Sequence, residues 1–469
     1  MMEYRVEKDT LGEVRVPRWA YYGAQTQRAV ENFRVSPLRL PSSFIRAQAV
    51  IKRAAAVSHM AAGNLDEEIG QALVRAADEI IAGEYHDQFV VDVFQAGAGT
   101  SQNMNINEVL ANRANEILGA GSPGSYARVH PNDHANMGQS TNDTIHTAIH
   151  VAAVSELKGK LIPSLRRLSG AVHDKATEFD RVVKAGRTHL QDAVPMRLGQ
   201  EFGGYAAMLE KAERRIETAL GAILELPLGG TAVGTGLNTH ASYKREAIAE
   251  IGRVTGFEFR AADDIFEAMQ NLDAIVEVAG ALRVLVTSLR KVADDLRLLS
   301  SGPRTGLAEI TLPAVQPGSS IMPGKVNPVL AEMLDMVCFH ALGNDTAMVA
   351  AAQAGQLELN VMMPVVAYNL LEEIEILAGG MDSFRKRCLV GIEADVERCR
   401  LYAERSAALA TALSPYIGYR RAAELSKEAL EKDQLIRELV LSKNLMERDK
   451  LEEILDIYKM TVEPEKREP

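Results

Sequence analysis

Between Asp273 and Arg290 the chain reads DAIVEVAGALRVLVTSLR, and its apolar residues run nearly all the way round a helical wheel. Val284, Leu285 and Val286 leave no consistent polar face at that point. A helix that is apolar on every side is covered on every side. A membrane could supply that cover, but Asp273, Glu277, Arg283 and Arg290 fall inside this window of 18, and charge at the centre of a bilayer is costly. Neighbouring helices are the remaining cover. In a bundle of only a few helices that much cover is most easily supplied by other subunits, so the pattern predicts an oligomer.

The rest of the chain supports the same architecture. Helical periodicity with few breakers runs roughly over 43–62, 66–82, 103–117, 143–176, 198–224, 261–300 and 329–352. Helices in globular proteins average about 11 to 12 residues, so several of these spans are long. The first forty residues differ: Gly12, Pro17, Gly23 and Pro37 punctuate short alternating runs such as Glu13-Val14-Arg15-Val16. After Gly391 the pattern becomes more charged and shorter in period, through PYIGYRRAAELSKEAL to a polar tail, EPEKREP, that is expected to fray. The expected fold is mainly α: a mixed, helical N-terminal domain over 1–142, a central long-helix bundle over 143–391 and a small helical domain over 392–469.

Bulk properties narrow the function. The 469 residues carry 52 basic and 63 acidic side chains, a net charge of -11, which gives no electrostatic footprint for nucleic acid. An anionic substrate would need a local cluster of donors and cations. Cys338, Cys388 and Cys399 are odd in number, with no CxxC spacing, and read as reduced, buried thiols. The start MMEYRVEKDTLGEV has no apolar stretch of the secretory kind, so the cytoplasm is expected.

Chemistry concentrates in the few glycine-rich, loop-like stretches: QAGAGTS at 95–101, 120–142, AGRTHLQD at 185–192, LGGTAVGTGLNTH at 228–240, and 301–328. The last contains GSSIMPGKVNP at 318–328. Its Gly324-Lys325 suggests a phosphate loop, but that motif needs Ser or Thr directly after the lysine, and here Val326 follows. A zinc protease is excluded on similar grounds. His146 and His150 have the spacing, yet Thr147 stands where Glu is needed, so no metal is expected at these or at His130 and His134. No GxGxxG opens a βαβ unit, and Gly229, Gly230, Gly234 and Gly236 read as a packing turn, so no cofactor is expected.

What remains is a set of hydroxyls and amides beside glycine: Thr100 and Ser101 with Asn103, Ser140, Thr141 and Asn142, Thr188 with His189, and Ser319 and Ser320 with Lys325 and Asn327. Taken singly, each reads as a helix cap. Together they offer neutral donors and potential cations without a carboxylate pair, which suits a small polycarboxylate held by charge-assisted hydrogen bonds.

The segments GSSIMPGKVNP, GQSTND, GRTHLQD and AGAGTSQNMN resemble the aspartase/fumarase superfamily, and the resemblance covers nearly the whole chain. It implies a homotetramer around a twenty-helix core, with each active site assembled from three subunits. It also implies reversible elimination from a C4 dicarboxylate to give fumarate. Ser319 would be the general base, working as an alkoxide. Lys325 and Asn327 would bind a substrate carboxylate, and Thr100, Ser101, Ser140, Thr141, Asn142, Thr188 and Ser320 would line the pocket. His189 would pair with Glu332. Arg128, His130, Asn132 and Asp133 match a peripheral anion site of the family.

Within the family, AGTS at 98–101, STND at 140–143, DLRLLSSGPRTGL at 295–307 and AGQLELNV at 354–361 favour ammonia as the leaving group, from L-aspartate. GAQTQRA at 23–29, LGGTAVGTGLNTH and VGIEAD at 390–395 favour water, from L-malate. Ammonia is the lead. A catalytically silent member is the remaining alternative, against which stand intact Ser319, Lys325, Asn327 and His189.

Overall fold

The computed structural model describes residues 3–462, so the tail 463–469, expected to fray, lies outside the described residues. Among those described are seventeen α-helices and four two-stranded sheets, a mainly helical fold. The chain divides into two compact units. One comprises residues up to Pro163, Glu213–Val286 and Phe339–Ala378, and the other Ser164–Ala212, Thr287–Cys338 and the residues from Gly379 on.

The first unit opens with an antiparallel hairpin, Tyr4–Asp9 with Gly12–Pro17, where the alternation Glu13-Val14-Arg15-Val16 buries Val14 and Val16. Its helices follow from local signals. Glu67–Ala82 starts at Asp66, whose carboxylate accepts the Ile69 N–H at 3.1 Å, and Glu67 and Glu68 in the first turn complement the helix dipole. It stops at Gly83, at φ 103°, a left-handed value that glycine adopts without strain. Leu73, Ala76, Ala77 and Ile80 recur at helical spacing and are buried with Ile45 and Ala49 of Ser42–Ala61 and Ile106 and Leu110 of Thr100–Ile117. Each fully buried Leu or Ile contributes about 1.5 to 3 kcal/mol.

The second unit contains a β-hairpin, Val183–Thr188 with Gln191–Arg197. It ends in short helices from Val396–Arg405 to Arg448–Ile454, whose Leu409, Leu413, Leu425, Ile436, Leu439 and Leu451 form a core of their own.

The long helices Asp273–Leu299, Val329–Ala352 and Met363–Arg387 each have residues in both units. On Asp273–Leu299, Val278, Leu282, Leu285, Val286 and Leu289 are buried within the single chain, while Val284 stays 37% and Leu298 40% exposed. One chain therefore covers most, but not all, of the apolar surface of this helix.

The structure departs from the sequence expectation in several places, among them the helices Ala24–Asn32 and Tyr243–Thr255, which lie outside the expected helical spans. The span 143–176 is interrupted by a π-helical turn, Leu157–Leu161, because Pro163 has no N–H to give the preceding carbonyls. The span 261–300 is two helices, Ile265–Gln270 and Asp273–Leu299, parted at Asn271 in extended conformation. Met363–Arg387 is a helix that periodicity missed, with Pro364 at its start, where a missing N–H costs nothing. The stretch 185–192 is a hairpin rather than a loop.

Candidate active site

In the first unit, two helix starts carry the polar segments. Thr100 begins the helix Thr100–Ile117 after Ala98 and Gly99, both at positive φ (59° and 80°), and the tight entry is held by the Ala98 N–H on the carbonyl of Val361 at 2.8 Å. A Cβ on Gly99 would come within 3.2 Å of Ile145, so the backbone packs directly on the second helix, Thr141–Glu156. Thr100 is exposed and Ser101 buried.

Ser140 caps the second helix. Its Oγ accepts the Asn142 N–H at 3.2 Å while Asp143 accepts the Ser140 N–H at 3.0 Å, a reciprocal capping box. The Asn142 amide donates to the Ala232 carbonyl at 2.8 Å. Asn103 joins the two helix starts by donating to Thr141 Oγ1 at 3.3 Å. Thr100, Ser101, Ser140, Thr141 and Asn142 are thus brought together at two helix N-termini, which favour anions.

Beneath Thr141 lies a buried polar cluster. Asn136 Oδ1 accepts from Asn103 at 3.1 Å, Asn107 at 3.2 Å and the Lys52 ammonium at 3.0 Å. Burial pushes the Lys52 amine down to about 7, with Asp143 acting in the opposite sense. Burial also pushes the Asp143 carboxyl up to about 6, against backbone donors that include Gly229 N at 3.0 Å and Thr231 N at 3.1 Å. The glycine-rich turn at 228–240 therefore seats this carboxylate. Lys52, Asn107, Asn136 and Asp143 were not singled out from sequence, although a lone lysine in AVIKRAAA is a visible signal.

In the second unit, residues 318–328 form a loop tied to itself. Gly318 N donates to Lys325 O at 2.8 Å, the Asn327 amide donates to Gly318 O at 2.8 Å, and the Lys325 ammonium donates to Asn327 Oδ1 at 2.8 Å. A Cβ on Gly318 would stand 2.5 Å from Lys325 O, so only glycine permits this closure. Ser319 Oγ accepts two backbone N–H groups, Ile321 at 3.2 Å and Met322 at 3.0 Å. Donors aimed at a hydroxyl oxygen favour its charged form. Ser320 is exposed, as are Ile321 (83%) and Met322 (49%). Pro328 then opens the helix Val329–Ala352, its carbonyl accepting Glu332 N at 3.1 Å.

Thr188 and His189 are exposed at the tip of the hairpin, where Thr188 pairs with Gln191 and the two intervening residues, His189 and Leu190, have φ of 55° and 58°. This is the tight turn that matches strand twist. Among the described residues no hydrogen bond joins His189 to Glu332 within the chain. Beside the hairpin is a cavity of about 810 Å³ lined in part by Arg187, Leu190, Asp192, Tyr402 and Arg405.

The remaining candidates are placed as follows. Arg128 pairs with Glu68 at 2.7 Å, and His130 Nδ1 faces the N–H groups of Asn132 (3.3 Å) and Asp133 (3.4 Å). His146 and His150 are buried and donate to the carbonyls of Ala268 and Glu225, and burial pushes His146 down to about 3, keeping it neutral. Among the described residues no group of three or more His, Cys, Asp or Glu is placed to hold a metal ion. The three cysteines are buried and unpaired, with thiols pushed up to about 12 by burial. No helix among the described residues is long and apolar enough to cross a membrane.

Residues 12–343 match the Lyase family and residues 409–462 the Fumarase C C-terminus family. The chain is 49% identical to the aspartate ammonia-lyase of Bacillus subtilis over 98% of its own length and 96% of the relative's. It is 47% identical to the class II fumarate hydratase of Nitrosomonas europaea, over 98% and 100%. The crystal structure of the class II fumarase from Schistosoma mansoni superposes with a TM-score of 0.95 at 38% identity, covering 98% of this chain and 99% of that one. The chain is a lyase of the aspartase/fumarase superfamily.

Proposed function

We propose that the protein converts L-aspartate to fumarate and ammonia, with Ser319 as the general base. The C3 proton of such a substrate is very weakly acidic, so its removal demands both a strong base and stabilisation of the charge that develops. The observation that carries the reading is the pair of N–H groups, from Ile321 and Met322, on Ser319 Oγ. They favour an alkoxide, and the ammonium of Lys325 in the same loop adds positive potential.

The base takes the C3 proton, and the electron pair moves into the adjacent carboxylate to give a doubly charged aci-carboxylate. Lys325, Asn327 and the helix starts at Thr100 and Ser140–Asn142 supply preorganised donors for that charge. Return of the electron pair forms the C2–C3 double bond as the amine leaves. Thr188, His189 and Ser320 complete the pocket, with Glu332 orienting His189. We place these residues in a homotetramer whose active sites draw on three copies of the chain, in the cytoplasm. A peripheral anion site at Arg128, His130, Asn132 and Asp133 belongs to the same reading.

A second reading, L-malate to fumarate and water, is supported by class II fumarate hydratases at 47% and 51% identity. Water needs proton donation to leave, whereas an ammonium carries its proton already. Fumarate release, followed by ultraviolet absorbance with L-aspartate and with L-malate, separates the two. Turnover of malate alone overturns the lead, and turnover of neither returns the chain to a silent, ligand-binding member of the family.

A further inference from the structure

We propose that Glu309 is a positioning residue that ties the Thr188–His189 turn to the segment leading into the Ser319 loop. The inference rests on the reading of His189 and Ser319 as site residues.

The Glu309 side chain is fully buried, and a buried carboxylate persists only when paired. Its partners come from one strand, Val183–Thr188: the Arg187 guanidinium at 2.9 Å and the Lys184 ammonium at 3.2 Å. Side chains three positions apart on a regular strand point to opposite faces. Here the register shifts between Ala185 and Arg187, and that irregularity lets both cations reach one carboxylate. Glu201 takes the Lys184 ammonium at 2.8 Å as well, so two cations meet two carboxylates. Arg187 immediately precedes Thr188 and lies over the Tyr402 ring, 5.5 Å from its centroid.

The other end of the tie is the Glu309 backbone. Its N–H donates to Leu299 O at 2.9 Å and its carbonyl accepts Asp395 N at 2.9 Å. Ile310–Thr311, which follows, pairs with Glu393–Ala394. From there the chain runs directly to Gly318 and Ser319. The carboxylate of Glu309 thus holds the strand that runs into the turn while its backbone fixes the start of the serine segment. Neither His189 nor Ser319 needs to touch it.

The test is Glu309→Gln, which keeps shape and removes charge, in the whole protein. Hydrogen exchange read by mass spectrometry should rise in both 186–192 and 312–327 and stay unchanged in the helices Ser42–Ala61 and Thr100–Ile117. A rise in one segment alone, in neither, or throughout the chain overturns the tie. If the variant does not fold, Arg187→Met cuts the same link from the hairpin side, and the same segments decide.

Turnover gives a second readout that a general structural role would not produce. On the substrate the wild type uses, Glu309→Gln should lower kcat/KM roughly tenfold to a hundredfold, the scale of a misplaced catalytic group. In a His189→Ala background the same change should cost less, because one of the two groups it positions is gone and only its effect through the Ser319 segment remains. Losses that simply multiply would contradict the proposal. A wild type inert towards both dicarboxylates would overturn the assigned reaction, and the exchange experiment would still judge Glu309.

Discussion

Met322 donates its backbone N–H to Ser319 Oγ at 3.0 Å from within the same short loop. The donor belongs to the main chain, so no side-chain rearrangement is needed to bring it there. With Ile321 at 3.2 Å, the hydroxyl oxygen sits in a small nest of N–H groups, the arrangement a developing alkoxide requires. The loop holds this geometry through its own bonds, Gly318 to Lys325 and Asn327 to Gly318.

That closure makes Gly318 the most sensitive position of the loop that carries no functional group. An added Cβ would stand 2.5 Å from Lys325 O and 2.9 Å from Asn327 N, both backbone atoms that cannot swing away. Gly318→Ala should therefore lower kcat by roughly tenfold to a hundredfold through displacement of Ser319. The loop is mostly exposed, so the thermal midpoint should hardly move. Steady-state kinetics beside a thermal melt checks both halves of the statement.

Lys325 is assigned to a substrate carboxylate, and its ammonium is already oriented by Asn327 Oδ1 at 2.8 Å. Lys325→Met should cost the equivalent of one hydrogen bond to a charged group, about tenfold to a hundredfold in kcat/KM. Inhibition by succinate, an unreactive dicarboxylate, should weaken in the same variant. Unchanged succinate affinity would remove Lys325 from the binding role.

Lys52 gives a pH dependence with a defined sign. Its amine is lowered from 10.5 to about 7 by burial, so between these values the unfolded chain binds a proton that the folded chain does not. Stability from this group is present above 10.5, declines as pH falls, and is lost through about 7. Asp143, raised to about 6, titrates below that window. Thermal midpoints of wild type and Lys52→Met from pH 7.5 to 10 should show the wild type gaining relative to the variant as pH rises. Parallel curves would mean that Lys52 keeps its ordinary basicity.

Much of this was legible in the sequence. The Asp273–Arg290 segment announced long packed helices, and GSSIMPGKVNP with its companion segments identified the superfamily and pointed to Ser319, Lys325 and Asn327. Local periodicity could not report the hairpin around Thr188 and His189, because a strand with a register shift and a glycine carries little alternation. It also missed Lys52, Asn136 and Asp143, whose roles depend on segments far apart in the chain meeting in one buried cluster. The leaving group stays with the chemistry of the pocket, since relatives of both activities share nearly half of the residues.

The central claim is that Ser319 removes the C3 proton of a C4 dicarboxylate. The direct measurement is fumarate release from L-aspartate and L-malate by wild type and Ser319→Ala side by side, with thermal melts of both. The account predicts that the wild type turns over L-aspartate, and that the variant loses about two to four orders of magnitude in kcat, the range for a general base, at an unchanged midpoint. A folded Ser319→Ala with wild-type turnover would contradict it.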